Sequence, residues 1–242
     1  MADLSPPMTT RRFTGVGTTL YDRVLDRMNK TVPASVRAFV KNAVFDVFPG
    51  VLRRGGSSTK RVALTFDDGP DQMTERYLAL LDKLGVPATF FVIGARAANR
   101  PDLVREYLRR GHQVAGHGFD HTRFSKLSRR ELLEQCARTD SAIGGQLSGR
   151  PWVRPPHGTL DASSLLNLVT SGYTVAMWSV DSYDYNVVEP HEIVEQCRHA
   201  SAGDVLLFHE GQQRTLDALP GIVAGLREAG LECVTMHDLF AS

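Results

Sequence analysis

Val62-Ala63-Leu64-Thr65-Phe66-Asp67-Asp68-Gly69-Pro70 is the stretch from which the fold can be read. An apolar run ends in two adjacent carboxylates, and a Gly-Pro turn follows at once. That is how a buried strand ends when its tip has work to do. Like charges this close repel, so a structure that keeps both holds a cation there or shares a proton between them. The remainder of the chain should therefore supply partners for Asp67 and Asp68.

Outward from this strand, the pattern alternates. Short apolar, β-branched runs fall near residues 62–66, 88–92, 113–116, 151–154, 173–178, 204–208 and 231–235. Helical patterns lie between them. Ser128 and Glu131 form a capping box ahead of Leu132, Leu133 and Cys136. Leu103, Val104, Tyr107 and Leu108 make a stripe that stops at Gly111, and Pro220 suits the first position of a helix carrying Ile222, Val223 and Leu226. Strands alternating with helices predict an α/β fold with a parallel sheet, and the count suits a distorted, incomplete barrel. In such folds the chemistry collects at the carboxyl ends of the strands. Asp67-Asp68, His117, Arg154, Asp181 with Asp184, and His209 each follow or end one of the runs, so the polar candidates share one rim.

Residues 1–60 read as a separate extension and 61–242 as the main domain. The extension has two helical stripes, one over residues 20–28 and one over 36–48, and a linker at Arg53–Ser58. It carries 10 Lys/Arg against 4 Asp/Glu, giving +6, whereas residues 61–242 carry 18 against 23, giving −5. The acidic main part argues against nucleic acid as a partner. Two uses of the basic extension stay open: packing on the main domain to close one barrel end, or peripheral attachment of residues 36–48 to an anionic membrane surface. No run of 18 apolar residues occurs, so no spanning helix is expected. The start of the chain lacks the basic-then-apolar order of a signal peptide, and Cys136, Cys197 and Cys233 read as buried thiols, so a cytoplasmic protein is expected.

His117 and His121 are four apart, which on a helix would put both imidazoles on one side. With Asp68 they form a set of two histidines and one carboxylate. Three protein ligands leave room for water, the arrangement of a catalytic metal.

Taken together, Thr65–Pro70, His117-x3-His121, Arg154-Pro155-Pro156-His157-Gly158, Asp181-Ser182-Tyr183-Asp184-Tyr185 and Leu207-Phe208-His209 resemble, in order, the five motifs of the NodB-type polysaccharide deacetylases, carbohydrate esterase family 4. The resemblance runs over residues 61–240. It implies a (β/α)7 barrel, a divalent metal (zinc first, with cobalt, nickel or manganese as alternatives), and hydrolysis of an N-acetyl group on an amino sugar or glycan. It implies Asp68, His117 and His121 as metal ligands, Asp67 as general base, His209 as general acid, Arg154 as the partner of Asp67, and Asp181 as the group that orients His209. His157 through its backbone N–H, with Tyr185 and Leu207, would serve substrate and oxyanion.

The chain departs from the common family pattern at Gly118, His157, Tyr185 and Glu210, where Ser or Thr, Tyr, Trp and Asp respectively are usual. The core chemistry is intact and the substrate pocket is unusual. The expected substrate is a soluble, nucleotide-linked or lipid-linked N-acetylated sugar. Two rival readings remain: hydrolysis of another amide, such as an N-formyl sugar or a cyclic amide, at the same centre, and a glycan-binding module without catalysis.

Overall fold

The computed structural model describes residues 49–58, 60–144 and 150–241. Both amphipathic stripes, and with them the membrane reading of residues 36–48, lie outside the described residues. In chain order the elements are β1 (Val51–Leu52), β2 (Arg61–Asp67), α1 (Thr74–Leu84), β3 (Thr89–Val92), α2 (Gly94–Asn99), α3 (Pro101–Arg109), β4 (Gln113–Gly116), α4 (Arg129–Ala142), β5 (Trp152–Val153), α5 (Ala162–Thr170), β6 (Thr174–Ala176), β7 (Val180–Asp181), α6 (Pro190–Cys197), β8 (Val205–His209), α7 (Gln213–Glu228), β9 (Glu232–Val234) and α8 (Met236–Phe240).

The strands join in the order β1-β6-β5-β4-β3-β2-β8-β7, with β9 also paired to β2. All these pairings are parallel. The order does not return on itself, so the molecule is a distorted, incomplete (β/α)7-type barrel.

Alternation along β2 explains the packing. Val62, Leu64 and Phe66 point outward into a core shared with α1 and α7, where Phe66 stacks on Phe90 and Phe208 at ring centroids of 5.2 and 5.4 Å. Ala63, Thr65 and Asp67 point inward. At their inward positions β2, β4 and β6 carry small side chains, Ala63, Ala115 and Ala176. Those short side chains leave space on the axis, and a fully buried arginine, Arg154, fills it.

All seven expected strand runs are present. The structure adds β7 and β1; β1 lies just before the stretch that reads as linker, and Val51 and Leu52 pair with Val175 and Ala176. The sheet therefore begins before residue 61. Pro220 is a second difference: it lies inside α7, which already begins at Gln213. A proline in a helix interior costs about 3 kcal/mol, whereas each fully buried leucine or isoleucine returns about 1.5–3 kcal/mol. The buried face of Leu216, Leu219, Ile222, Val223 and Leu226 thus outweighs the one lost N–H. The capping box at Ser128 forms as expected, with both reciprocal hydrogen bonds, and the three cysteines are buried and free. Among the described residues no helix is long and apolar enough to cross a membrane.

Candidate active site

The carboxyl ends of β2, β4, β5, β7 and β8 surround one cleft of about 370 Å³. It is lined by Asp67, Asp68, His117, His121, His157, Trp178, Asp181, Tyr185, Leu207 and His209, among others. Register puts the key groups there: Asp67 at the end of β2 lies opposite His209 at the end of β8. Of the ten residues singled out from sequence, nine line this cleft, and the tenth, Arg154, lies beneath it.

Asp67 is 3% exposed and faces a cation with no exposure at all. Arg154 Nη1 donates to Asp67 Oδ1 at 2.7 Å and to Thr65 Oγ1 at 2.8 Å. The guanidinium also reaches the Met177 carbonyl at 3.2 Å and lies 3.9 Å from the centre of the Phe91 ring. A buried charge needs this density of partners to be tolerable. Arg154 has a second task, because its backbone carbonyl lies 2.8 Å from Nδ1 of His117. Nδ1 is therefore the protonated nitrogen, and the Nε2 lone pair is left facing the cleft. Burial pushes His117 below the usual imidazole range, which favours that neutral form.

Asp68 completes a trio. Its Oδ1 lies 3.2 Å from His121 Nε2 and 3.6 Å from His117 Nε2, and one potential ligand atom from each of the three residues lies within 4.8 Å of the others. Oδ1 is buried without a hydrogen-bond partner of proper geometry. An orphaned carboxylate oxygen between two imidazole nitrogens fits a cation, and one oxygen with two nitrogens is a donor set suited to a divalent transition metal. Burial alone would raise the Asp68 carboxyl; the close His121 imidazole and the charges of His117, His121 and His209 outweigh it and hold the group well below the usual carboxylate range.

His117 and His121 are not on a helix, so helical spacing is not what brings their rings together. They stand on an irregular loop in which His121 has φ 65°. Hydrogen bonds shape that loop. Gln135 Oε1 on α4 accepts from the N–H groups of Phe119 (2.7 Å) and Asp120 (3.1 Å), and its amide donates to Asp120 at 2.8 Å. The N–H groups of Gly94 and Ala95, at the start of α2, donate to the carbonyls of Gly118 and Phe119. Gly118 itself has φ 73°, and a Cβ there would press on Phe124 and Pro156. A glycine thus suits this position, where a hydroxyl residue was the commoner expectation. Nothing in the sequence pointed to Gln135, which is one polar residue on a polar helix face.

One assignment is corrected. Asp184, and not Asp181, orients His209. Asp184 Oδ1 lies 2.7 Å from His209 Nδ1, while its Oδ2 accepts from the His209 backbone N–H (2.7 Å) and from the Thr215 hydroxyl (2.8 Å). Asp184 is fully buried. Burial would lower the His209 imidazole, but the Asp184 hydrogen bond and the charges of Asp67, Asp184 and Asp68 outweigh it and raise it to about 9. Asp181 instead accepts from the Tyr183 N–H at 2.9 Å. Both carboxylates follow the same apolar run, and spacing alone could not say which one reaches under His209.

Trp178 lines the cleft beside Gly158; Trp152 packs against Phe240. The His157 ring lies 4.4 Å from that of His121. Behind the strand tips, Glu210 is buried and accepts hydrogen bonds from Thr74 (2.8 Å) and Tyr107 (2.7 Å). A Cβ on Gly69 would overlap its carboxylate, so the turn after Asp68 needs glycine. Among the described residues, the non-glycine positions with positive φ are Asp68, His121, His157 and Tyr183. Asp68, His121 and His157 line this cleft, and Tyr183 lies between two lining residues, Asp181 and Tyr185; strained backbone tends to concentrate at such sites.

The polysaccharide deacetylase family model matches residues 54–176. Peptidoglycan-N-acetylglucosamine deacetylase PgdA of Listeria monocytogenes is 33% identical over 186 residues, which are 76% of this chain and 39% of that protein. Chitooligosaccharide deacetylase of Sinorhizobium fredii is 32% identical over 195 residues, covering 73% of this chain and 90% of that one. The solved structure of the Bc1960 peptidoglycan N-acetylglucosamine deacetylase is similar with a TM-score of 0.75 at 28% identity, covering 80% of this chain and 94% of that chain. This chain thus spans about two fifths of the length of the Listeria relative.

Proposed function

We propose that this chain, which belongs to the polysaccharide deacetylase family, is a hydrolase that removes the N-acetyl group from an N-acetylglucosamine unit of a glycan. The observation that carries the reading is a base and an acid on one cleft, each with its own buried partner: Asp67 on Arg154, and His209 on Asp184.

Asp68, His117 and His121 would hold the metal, and zinc suits their donor set best. When bound, the ion supplies Lewis-acid polarisation of the amide carbonyl and lowers the pKa of water. The chain's own residues do the rest. Asp67 takes the proton of the attacking water, and Arg154 fixes the carboxylate for that transfer. The His209 imidazolium gives a proton to the departing amine, and Asp184 keeps that imidazolium available near neutral pH. The backbone N–H of His157 donates to the oxyanion as charge develops. Tyr185 and Leu207 line the acetyl end of the cleft. The basic, amphipathic residues 36–48 support a lipid-linked form of the glycan and a cytoplasmic enzyme peripheral to the membrane.

The test is mass spectrometry of N-acetylated chitooligosaccharides incubated with the protein before metal stripping, after it, and after refilling with zinc. Loss of one acetyl with release of acetate, abolished by stripping and restored by zinc, is expected. Formate from an N-formyl sugar with no acetate from any glycan would replace this reading with the rival amidase.

A further inference from the structure

We propose that Arg96 is a positioning residue for the ion site: with the three residues before it, it clamps the two chain segments that carry Asp68, His117 and His121, and so sets the spacing that a divalent metal meets. The inference deepens the reading just given and rests on its metal centre.

Topology is the first observation. Asp68 follows β2 and His117 follows β4, and these strands are not neighbours; β3 lies between them. The end of β3 holds both ligands. The Phe91 carbonyl accepts from the Asp68 N–H at 3.2 Å, and the Val92 carbonyl from the His117 N–H at 2.9 Å. The next four residues continue the bridge. The Ile93 N–H donates to the Gly69 carbonyl at 2.9 Å, the Gly94 N–H to the Gly118 carbonyl at 2.9 Å, and the Ala95 N–H to the Phe119 carbonyl at 2.8 Å. Arg96 Nη1 donates to the Asp68 carbonyl at 2.6 Å. Two of these bonds end on the Asp68 side and two inside the loop between His117 and His121. A Cβ on Gly94 would come within 2.5 Å of Thr139 Oγ1 and 2.7 Å of the Phe119 ring, so glycine lets the turn sit this close to the loop.

Backbone control of Asp68 is the second. Its Oδ1 is buried without a hydrogen-bond partner. No donor aims that oxygen, so its direction follows from the backbone. That backbone is left-handed, with φ 75°, a conformation that a non-glycine residue keeps only where its surroundings hold it. Phe91 holds the amide end of the residue and Arg96 the carbonyl end. Arg96 is the charged member of the clamp, and a hydrogen bond from a charged donor is roughly twice as strong as a neutral one.

Charge alone predicts the opposite role. A guanidinium beside a ligand repels an arriving cation and weakens the site. The bond to the Asp68 carbonyl strengthens it. The two effects differ in sign, so one substitution tells them apart.

The test titrates the metal-stripped full chain with zinc against a chromophoric chelator. Arg96→Met keeps the apolar stem and removes both donor and charge. It should weaken zinc binding about tenfold, the lower end of the range for outer-shell partners, because Arg96 is exposed. Arg96→Lys keeps the repelling charge and a donor, so the affinity it recovers comes from the bond. With cobalt(II) in place of zinc, the visible absorption should change in Arg96→Met and return in Arg96→Lys. Thermal melting of the metal-free protein should be alike in all three forms. Unchanged or tighter zinc binding in Arg96→Met would overturn the clamp and leave the deacetylase reading intact. Weaker binding that comes with early melting of the metal-free protein would assign Arg96 to the fold and also overturn it. Zinc affinity that depends on Arg96 without acetate release from any glycan would leave the clamp standing and overturn the hydrolase.

Discussion

Two carboxyl groups stand side by side at the ends of β2 and β8, equally hidden from water, and the chain treats them in opposite ways. Asp67 is 3% exposed and Glu210 4%, and the Glu210 N–H donates to the Asp67 carbonyl at 2.9 Å. Asp67 meets a guanidinium. Glu210 meets only hydroxyls, from Thr74 and Tyr107. Burial pushes Glu210 up to about 8, and the two hydroxyl hydrogen bonds recover only part of that. At matched burial the partners differ: a guanidinium holds Asp67 poised for its proposed role as base, whereas Glu210, pushed up to about 8, acts as a strut beneath Gly69.

The largest effect should come from removing the poised group. Asp67→Asn should lower kcat for acetate release by about 10²–10⁴-fold with the fold retained; activity near wild type would take the base away from Asp67. Next is its partner. Arg154→Met leaves a buried carboxylate without compensation, and chemical denaturation should show a loss of about 3–5 kcal/mol. Combining it with Asp67→Asn should recover part of that loss; simple additivity would mean the two do not act as a pair.

A smaller change tests the acid. In metal-stripped protein, NMR titration of Asp184→Asn should place the His209 pKa below the wild-type value of about 9, with a lesser shift for Asp181→Asn. In the loaded enzyme the alkaline fall in activity should move to lower pH accordingly. The smallest change tests the strut. Between its ordinary value of 4.5 and about 8, Glu210 is protonated when folded and ionised when unfolded. Wild-type stability therefore declines as pH rises through that window. Glu210→Gln should flatten the decline and match wild type at acid pH; parallel stability curves would contradict the contrast with Asp67.

Most of the strand ends and the residues around the cleft could be read from the chain, because alternation of apolar runs and polar termini is a local property. What escaped was set by contacts across the fold. β1 and β7 are two residues each, too short for any period to register. Pro220 looked like a helix start until the buried face behind it was visible. Asp181 and Asp184 differ only in which one lies under His209, a choice made by β7 pairing with β8. The spacing of His117 and His121 would put both rings on one side of a helix; Gln135 and the start of α2 hold an open loop, and contacts across the fold bring the rings together. The positive φ at Asp68, His121, His157 and Tyr183 left no trace in composition.

Arg154, the residue that follows β5, grips both sides of the site, through its guanidinium on Asp67 and its carbonyl on His117. If that short strand shifts, proton acceptor and ion-binding nitrogen travel together, so the spacing between them is buffered against small movements of the sheet. A change of side chain at this position would uncouple them, leaving the imidazole correctly turned while the carboxylate lost its anchor.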